Sequence, residues 1–329
     1  MPSLRARMVN ALLRHTVKPM WQPGLSIEAV RAHAARTDSR LARRPPTCET
    51  EAVTVGGLPA HWFGAPALAE RHGTLLYLHG GAWCLHLPAL YARFAATLSR
   101  ATGMRVLLVD YRLAPEHAFP AGIDDCLAVY RDVIELTGGA PQAIAGDSAG
   151  GSLSLVTLMR ARDLCMPLPD CAVLLSPSTD VTFSGASFRY NAKADPLFND
   201  GAGDLLPDIY CPGRERADPL LSPLFGDWAR LPPLYFLAGS TEMLLDDSVR
   251  AQDRAVQAGT QAVIDVWPDL PHVFPLFGFL PEARDAVSRI AVFVRQHARP
   301  RHRLATGADT AFVNGAPSET VTAAQHASL

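Results

Sequence analysis

Residues 143–155 read AIAGDSAGGSLSL, and within them Gly146-Asp147-Ser148-Ala149-Gly150 has the form G-x-S-x-G. An apolar run precedes this pentapeptide and a helix-compatible run follows it, which is the strand–turn–helix setting of a nucleophile elbow. Such a turn forces the serine into strained backbone angles and exposes its Oγ. It also places the hydroxyl near a helix N-terminus, whose free N–H groups favour developing negative charge. A Cβ at either flanking glycine would collide with the neighbouring strand or helix. The blander readings are a glycine-rich loop before a helix or a phosphate cradle, and the second is poor because neither G-K-S/T nor G-x-G-x-x-G occurs here.

A serine hydroxyl is a weak nucleophile at neutral pH and needs a base that a third group holds in place. Of the eleven histidines, His272 in WPDLPHVFPLF directly follows the apolar run AVIDVWP and is stiffened by Pro268 and Pro271. His15, His33, His61, His72 and His86 precede the serine, His117 lies in a proline-bound segment, and His297, His302 and His326 fall near the C-terminal end. The acid is expected after an earlier strand, and LYFLAGS is followed by Glu242, Asp246 and Asp247. Asp246 and Asp247 begin a helix, where acids are common for capping and dipole reasons. Glu242 comes sooner after the strand and is favoured, with Asp246 as the alternative. Acyl transfer also needs N–H donors for an oxyanion, and His79-Gly80-Gly81-Ala82-Trp83 directly follows TLLYL. Gly80, Gly81 and Ala82 in this loop, with Ala149 after the serine, are the candidate donors. A plain strand-to-helix turn is the competing reading of this loop.

The elements that must position these groups follow from periodicity. ETEAVTV and LPAHWFGA read as two antiparallel strands joined by Gly56-Gly57; TLLYLHG, MRVLLVDY, AIAGDS, CAVLLSPS, LYFLAGS and AVIDVWP read as six more. Helical patterns alternate with them: Pro88 to about Arg100, IDDCLAVYRDVIEL closed by Gly138-Gly139, AGGSLSLVTLMRARDL, DDSVRAQDRAVQAG and PEARDAVSRIAVFVRQHA. Alternation of this kind predicts an α/β fold with an eight-stranded, mostly parallel sheet covered by helices on both faces. Two regions break the rhythm. Residues 1–45 are helical and basic, and residues 183–224 are rich in Gly, Pro and Asp; both are expected to form a helical cap over the edge where strands end. The catalytic domain is expected over 46–299, and 300–329, rich in Ala, Thr, Ser and Gly, reads as a disordered tail.

Composition narrows the classes. The 329-residue chain is 48% hydrophobic with a formal net charge of −2, enough for a large core and with no global signal for nucleic acid. Residues 1–45 carry nine Lys or Arg against Glu28 and Asp38, a basic arm that reads either as a weak contact with a membrane surface or as a solvated helix face. No uncharged apolar run of about 18 residues occurs, so no transmembrane helix is expected. The N-terminus also lacks the roughly 7–15-residue apolar core of a signal peptide. The six cysteines are dispersed without a CxxC pair, which argues against zinc and fits a reducing, cytoplasmic compartment.

HGGAW, YRLAPEHAFPAGIDD, GDSAGG, DPLLSPLFGD, GSTEMLLDD and LPHVF, in this order, resemble the hormone-sensitive-lipase-like group of α/β-hydrolases across about residues 50–298. The resemblance implies the α/β-hydrolase fold, Ser148 as nucleophile and His272 as base. The family's third member is usually the first aspartate of D-x-L-x-D. Aligned on Leu244 and Asp246 that position is Glu242, and a branch of the family uses glutamate. The family's HGGG is HGGA here; Ala82 keeps its N–H, and its methyl narrows the pocket. Tyr111 to Glu116 are expected to support the site wall and Asp147 to anchor the elbow. The implied activity is a cofactor-free, metal-free serine carboxylesterase acting on short- to medium-chain acyl esters, with Trp21, Phe183, Phe188, Phe198 and VFPLFGFL as lining. The same machinery would serve a lactone, or an acetyl ester or amide on a specialised metabolite. A binding module on a hydrolase scaffold is the reading from a different class, but a receptor that resembles this family has lost its histidine, whereas Ser148, an acid and His272 are all present. The partner is a small-molecule ester, and pairing into a homodimer is open by analogy.

Overall fold

A computed structural model describes residues 1–21 and 26–299. β1 (Thr50–Val55) and β2 (Leu58–Phe63) form an antiparallel hairpin through Gly56-Gly57. Six strands follow, each after a helical or loop crossover: β3 (Thr74–Leu78), β4 (Arg105–Val109), β5 (Ala143–Asp147), β6 (Cys171–Leu175), β7 (Leu234–Gly239) and β8 (Ala262–Trp267). They build one eight-stranded sheet in the order β1-β2-β4-β3-β5-β6-β7-β8, parallel from β4 to β8. All eight strands and the hairpin lie where periodicity predicts them. The parallel registers pair Leu78 with Gly146, Asp147 with Leu175 and Gly239 with Trp267. The residues that follow each strand therefore emerge along one edge of the sheet, which is how His79, Ser148, Glu242 and His272 come to share a neighbourhood.

The central strands read as unbroken apolar runs because both faces are covered and side chains alternate between them. Leu76, Leu78, Leu107, Ile144, Leu174 and Phe236 point to one core, packed by α5 (Ala121–Thr137), α6 (Ala149–Asp163) and α9 (Leu245–Gln257). Leu75, Tyr77, Val106, Ala145, Val173 and Leu237 point to the other, packed by α1 (Leu4–Thr16), α4 (Pro88–Thr102) and α10 (Pro281–His297). α4 and α5 both stop at a glycine with left-handed φ, Gly103 and Gly138, where the last turn needs that conformation. A short helix between β2 and β3, α3 (Pro66–His72), was not expected; its seven residues give too little periodicity to read.

The N-terminal segment contains α1, a 3-10 turn over Lys18–Met20 and α2 (Ile27–Ala42). The segment between β6 and β7 carries α7 (Ser187–Tyr190) and α8 (Gly201–Tyr210). Trp21, Ile27 and Val30 from the first segment and Phe198, Ala202 and Leu206 from the second form one apolar cluster with Ala82, Cys84 and Met243 at the sheet edge. Lys18 fastens the two together by donating from Nζ to the carbonyls of Ala192, Lys193 and Asp195. The expected tail, 300–329, lies outside the described residues.

Ile144 is fully buried at the centre of the sheet, whereas Val263 on the edge strand β8 is exposed. Ile144→Ala should therefore lower unfolding stability in urea by about 2–5 kcal/mol, and Val263→Ala by no more than about 0.5 kcal/mol.

Candidate active site

Ser148 is the N-cap residue of α6 and has φ 50° and ψ −119°. Its N–H donates to Leu175 O on β6, and its carbonyl accepts from Ser178 N–H. Two glycines make the turn possible. An ideal Cβ on Gly146 would lie 2.3 Å from Gly150 O, and one on Gly150 would lie 2.0 Å from Leu78 O. Those neighbours are backbone atoms of β3 and α6 and cannot step aside, so the G-x-S-x-G spacing is a packing requirement.

Asp147 anchors this turn, as expected. Its Oδ1 accepts Tyr77 Oη–H at 2.7 Å and Gly80 N–H at 2.8 Å, and Oδ2 accepts Tyr91 Oη–H at 3.0 Å. Burial raises its pKa, against the pull of those three donors. The contact also corrects one expectation: Gly80 N–H is engaged by Asp147 and is not a free oxyanion donor. Among the described residues, the N–H groups of Gly81, Ala82 and Ala149 donate to no protein acceptor. Gly81 and Ala82 have φ of 111° and 53°, so the loop turns sharply beside Ser148. His79 steadies the loop from behind. Its Nδ1 bonds Gly80 O at 2.7 Å, its ring stacks on Tyr111 at 4.4 Å, and Tyr111 Oη–H donates to His79 O at 2.6 Å. Burial lowers the His79 pKa to about 4, so this imidazole is neutral. Tyr111 thus supports the wall, as the sequence suggested.

His272 Nδ1 donates to Glu242 Oε2 at 2.8 Å, and both side chains are buried. The other oxygen, Oε1, accepts Ser176 Oγ–H at 2.8 Å and Gly239 N–H. A carboxylate that accepts from Nδ1 fixes the tautomer, leaving Nε2 as the free lone pair of the neutral ring. That atom has no partner among the described residues, and His272 and Ser148 line the same groove. No hydrogen bond joins Nε2 to the Ser148 hydroxyl here, a bond that often tightens only in the complex with substrate. Burial disfavours the His272 imidazolium. The hydrogen bond and charge of Glu242, together with the charges of Asp195 and Asp147, outweigh that and raise the pKa above the ordinary 6.5.

The competing acids have other partners. Asp246 accepts from Ser187 N–H at 2.9 Å and Tyr190 Oη–H at 3.3 Å on α7, and Asp247 accepts from the N–H groups of Thr179 and Asp180. Three supporting residues escaped sequence reasoning. Ser176 bonds Glu242 and also accepts Val273 N–H at 3.2 Å. Asp195 accepts from the N–H groups of Leu197, Phe198 and Met243, and Asn191 donates to the carbonyls of Ser240 and Glu242. Ser176 had a signal, since it ends the apolar run CAVLLS; Asp195 and Asn191 lie in an irregular segment and had none.

Two recesses meet at Ser148 and Ala82. One is a narrow recess lined by Trp83, Ser178, Phe183, Phe188, Phe198 and Leu206 among others, and Phe183 stacks on Phe188 at 4.5 Å. The other is a wider groove with Val17, Met20, Trp21, Val30, His272, Leu276 and Phe277 in its walls. All four aromatic residues expected to line the site, Trp21, Phe183, Phe188 and Phe198, lie in one or both.

A profile of the alpha/beta hydrolase fold family matches residues 75–276. An acetyl-hydrolase from Streptomyces hygroscopicus is 37% identical over 249 residues, covering 74% of this chain and 82% of that protein. An esterase from Acinetobacter venetianus is 33% identical over 292 residues, covering 86% of this chain and 94% of its own. Among solved structures, an esterase from the bacterial hormone-sensitive lipase family superposes with a TM-score of 0.82 at 35% identity, covering 91% of this chain and all of the other.

Gly150→Ala should be the most damaging single methyl in this region, because Leu78 O and His79 O both stand within 2.5 Å of the new carbon. A loss of at least about 3 kcal/mol in urea unfolding, or failure to accumulate folded protein, is expected. An unfolding curve that matches the parent would contradict the packing described above.

Proposed function

From a chain that belongs to the α/β-hydrolase family, in its hormone-sensitive-lipase-like branch of carboxylic ester hydrolases, we propose that Ser148 is the nucleophile, His272 the general base and Glu242 the acid that holds it. The observation that carries this reading is the 2.8 Å bond to a buried Glu242 from His272 Nδ1, whose ring lines the same groove as Ser148. Ser148 Oγ attacks the ester carbonyl while Nε2 takes its proton. The tetrahedral oxyanion is received by the N–H groups of Gly81, Ala82 and Ala149. Collapse expels the alcohol, which leaves with the proton from Nε2. Water, deprotonated by the same nitrogen, then attacks the acyl-enzyme and releases the acid and free Ser148. The carboxylates around His272 favour the imidazolium that each half-reaction creates.

The two recesses divide the substrate. The leaving alcohol must lie where Nε2 can protonate it, and His272 lines the groove but not the smaller recess. The groove therefore takes the alcohol half and the aromatic recess takes the acyl half, which favours short to medium acyl groups on bulkier, apolar alcohols. An acetyl ester of a large alcohol fits this division, in keeping with the acetyl-hydrolase among the relatives. The six cysteines are all unpaired, which supports a reducing, cytoplasmic setting. Among the described residues no helix is long and apolar enough to cross a membrane.

Ser148→Ala should lower turnover of p-nitrophenyl butyrate by about 10⁴-fold or more, and activity equal to the parent would refute the assignment. Because only neutral His272 accepts the proton, kcat/KM should fall as pH drops through a value above 6.5. Glu242→Gln should move that limb to lower pH, and a limb that does not move would remove Glu242 from the triad.

Opening the aromatic recess tests the division of the substrate. Phe188→Ala should raise kcat/KM for p-nitrophenyl octanoate relative to the butyrate by about tenfold or more. An unchanged acyl profile, with the profile shifting instead in Leu276→Ala, would reverse the two halves.

A further inference from the structure

The inward arc of α1 is spent on the core: Ala6, Val9, Asn10 and Leu13 are buried. Its outward arc is mostly apolar as well, with exposed His15 in the last turn. Leu4, Met8 and Leu12, at spacing four, are 69%, 64% and 61% exposed. On a helical projection of 100° per residue these three lie within one arc of about 80°. Arg5 borders that arc on one side, and Arg7 and Arg14 border it on the other, Arg14 also donating from Nη2 to Ala194 O at 3.0 Å. Phe279, 53% exposed, extends the patch, because Arg5 Nη1 donates to Phe279 O at 3.1 Å. α1 contains no acidic residue, and the nearby Glu282 is engaged by Ser3 through both its N–H and its Oγ–H. Other exposed large apolar residues, such as Leu136, Leu164 and Val256, lie far apart in the chain, on other elements.

We propose that this face of α1 docks the protein on an anionic phospholipid bilayer, so that an ester dissolved in the lipid enters the groove directly. An apolar stripe with arginines at both borders is the pattern of a helix lying in an interface: the stripe enters the acyl boundary, and the guanidinium groups snorkel to the phosphates. A protein partner would need acidic side chains placed to match three particular arginines, whereas an anionic leaflet supplies negative charge anywhere. The groove gives the patch a purpose. Val17 and Met20, immediately after α1, and Phe277, whose ring is 6.3 Å from that of Phe279, lie in its walls. Apolar surface thus continues from the stripe into the groove. The inference goes beyond the proposed reaction and does not depend on which residue is the nucleophile.

The full chain, mixed with large unilamellar vesicles of phosphatidylglycerol and phosphatidylcholine, should sediment with them, more weakly as phosphatidylglycerol is reduced or salt is raised. Arg7→Gln, which removes one charge at the surface, should weaken partitioning by roughly fivefold. The combined variant Leu4→Ser, Met8→Ser and Leu12→Ser should weaken it by about 100-fold or more, with the parent's melting temperature and the parent's turnover of water-soluble p-nitrophenyl butyrate. A parent chain that does not bind these vesicles at low salt would overturn the proposal. So would a triple variant that binds as the parent does, or a parent that is dimeric by light scattering and ignores vesicles while the triple variant is monomeric; in the last case a second copy covers the face. Loss of turnover in Ser148→Ala with vesicle binding intact would keep the two proposals separate.

Discussion

The backbone at Ser148 is the constraint on which the rest of the structure depends. A serine at φ 50° and ψ −119° stands outside the comfortable regions for an L-residue, and it persists only because its surroundings over-determine it. β3 and the first turn of α6 approach so closely at Gly150 that no methyl fits between them. Asp147, one residue before, is held by two tyrosines from β3 and α4 and by the N–H of Gly80. The same buried carboxylate therefore fixes the elbow and the loop that would receive the oxyanion, so neither can shift without the other. Of nine non-glycine residues with left-handed φ among the described residues, six serve this region: Ala82, Trp83, Ser148, Ser176, Phe183 and Val273. Each such residue costs of order 1–3 kcal/mol. That concentration is intelligible if the two cores on either side of the sheet supply stability and the strand edge spends it on geometry.

Electrostatics follow from the same arrangement. Glu242, Asp147 and Asp195 are all buried and all act on His272, while the buried His79 is kept neutral by desolvation. The two histidines thus diverge although both are buried. His79 has a carbonyl as its near partner and serves as a stacked prop, whereas His272 has a carboxylate and is tuned upward. Asp195 also links three segments. Its Oδ2 accepts Met243 N–H, next to Glu242, while its carbonyl accepts Lys18 Nζ. The N-terminal segment, the segment between β6 and β7 and the acid loop are therefore joined at one residue.

Much of this was legible in the chain. The strands could be read because each is buried on both faces, so β3, β5, β6 and β7 appear as short apolar runs bounded by glycine, proline or serine. The elbow could be read because its glycines answer a steric demand that is local in sequence. Glu242 could be favoured over Asp246 and Asp247 because the latter sit in the first turn of α9, and the structure gives both of them hydrogen-bonding tasks there. What could not be read was direction. Nothing in His-Gly-Gly-Ala says that Gly80 N–H turns back to Asp147 while its neighbours stay free; that depends on φ at Gly81 and on a carboxylate 67 residues away. Asp195 and Asn191 were invisible for a similar reason. Their partners are backbone groups in another element, and backbone groups carry no sequence signature.

The position of the N-terminal segment suggests how the proposed set of reacting groups could be given different substrates. Ser148, Glu242, His272 and the proposed oxyanion loop all come from the sheet edge, yet the groove beside them is walled by Val17, Met20, Trp21 and Val30 from the N-terminal segment. Its attachments are mostly side chain to backbone: Asn10 to Asp269 O, Lys18 to three carbonyls and Arg31 to Cys84 O and Ala114 O. Such contacts specify where the segment sits but place few demands on its outward or groove-facing residues. The aromatic recess is built differently, from the segment between β6 and β7 that also contacts the acid loop through Asn191 and Asp195. Under the proposed division of the substrate, changes there would act on both acyl fit and the geometry around Glu242. In the proposed reaction, selectivity for the alcohol half would therefore be the freer variable, and selectivity for the acyl half would be tied to the chemistry.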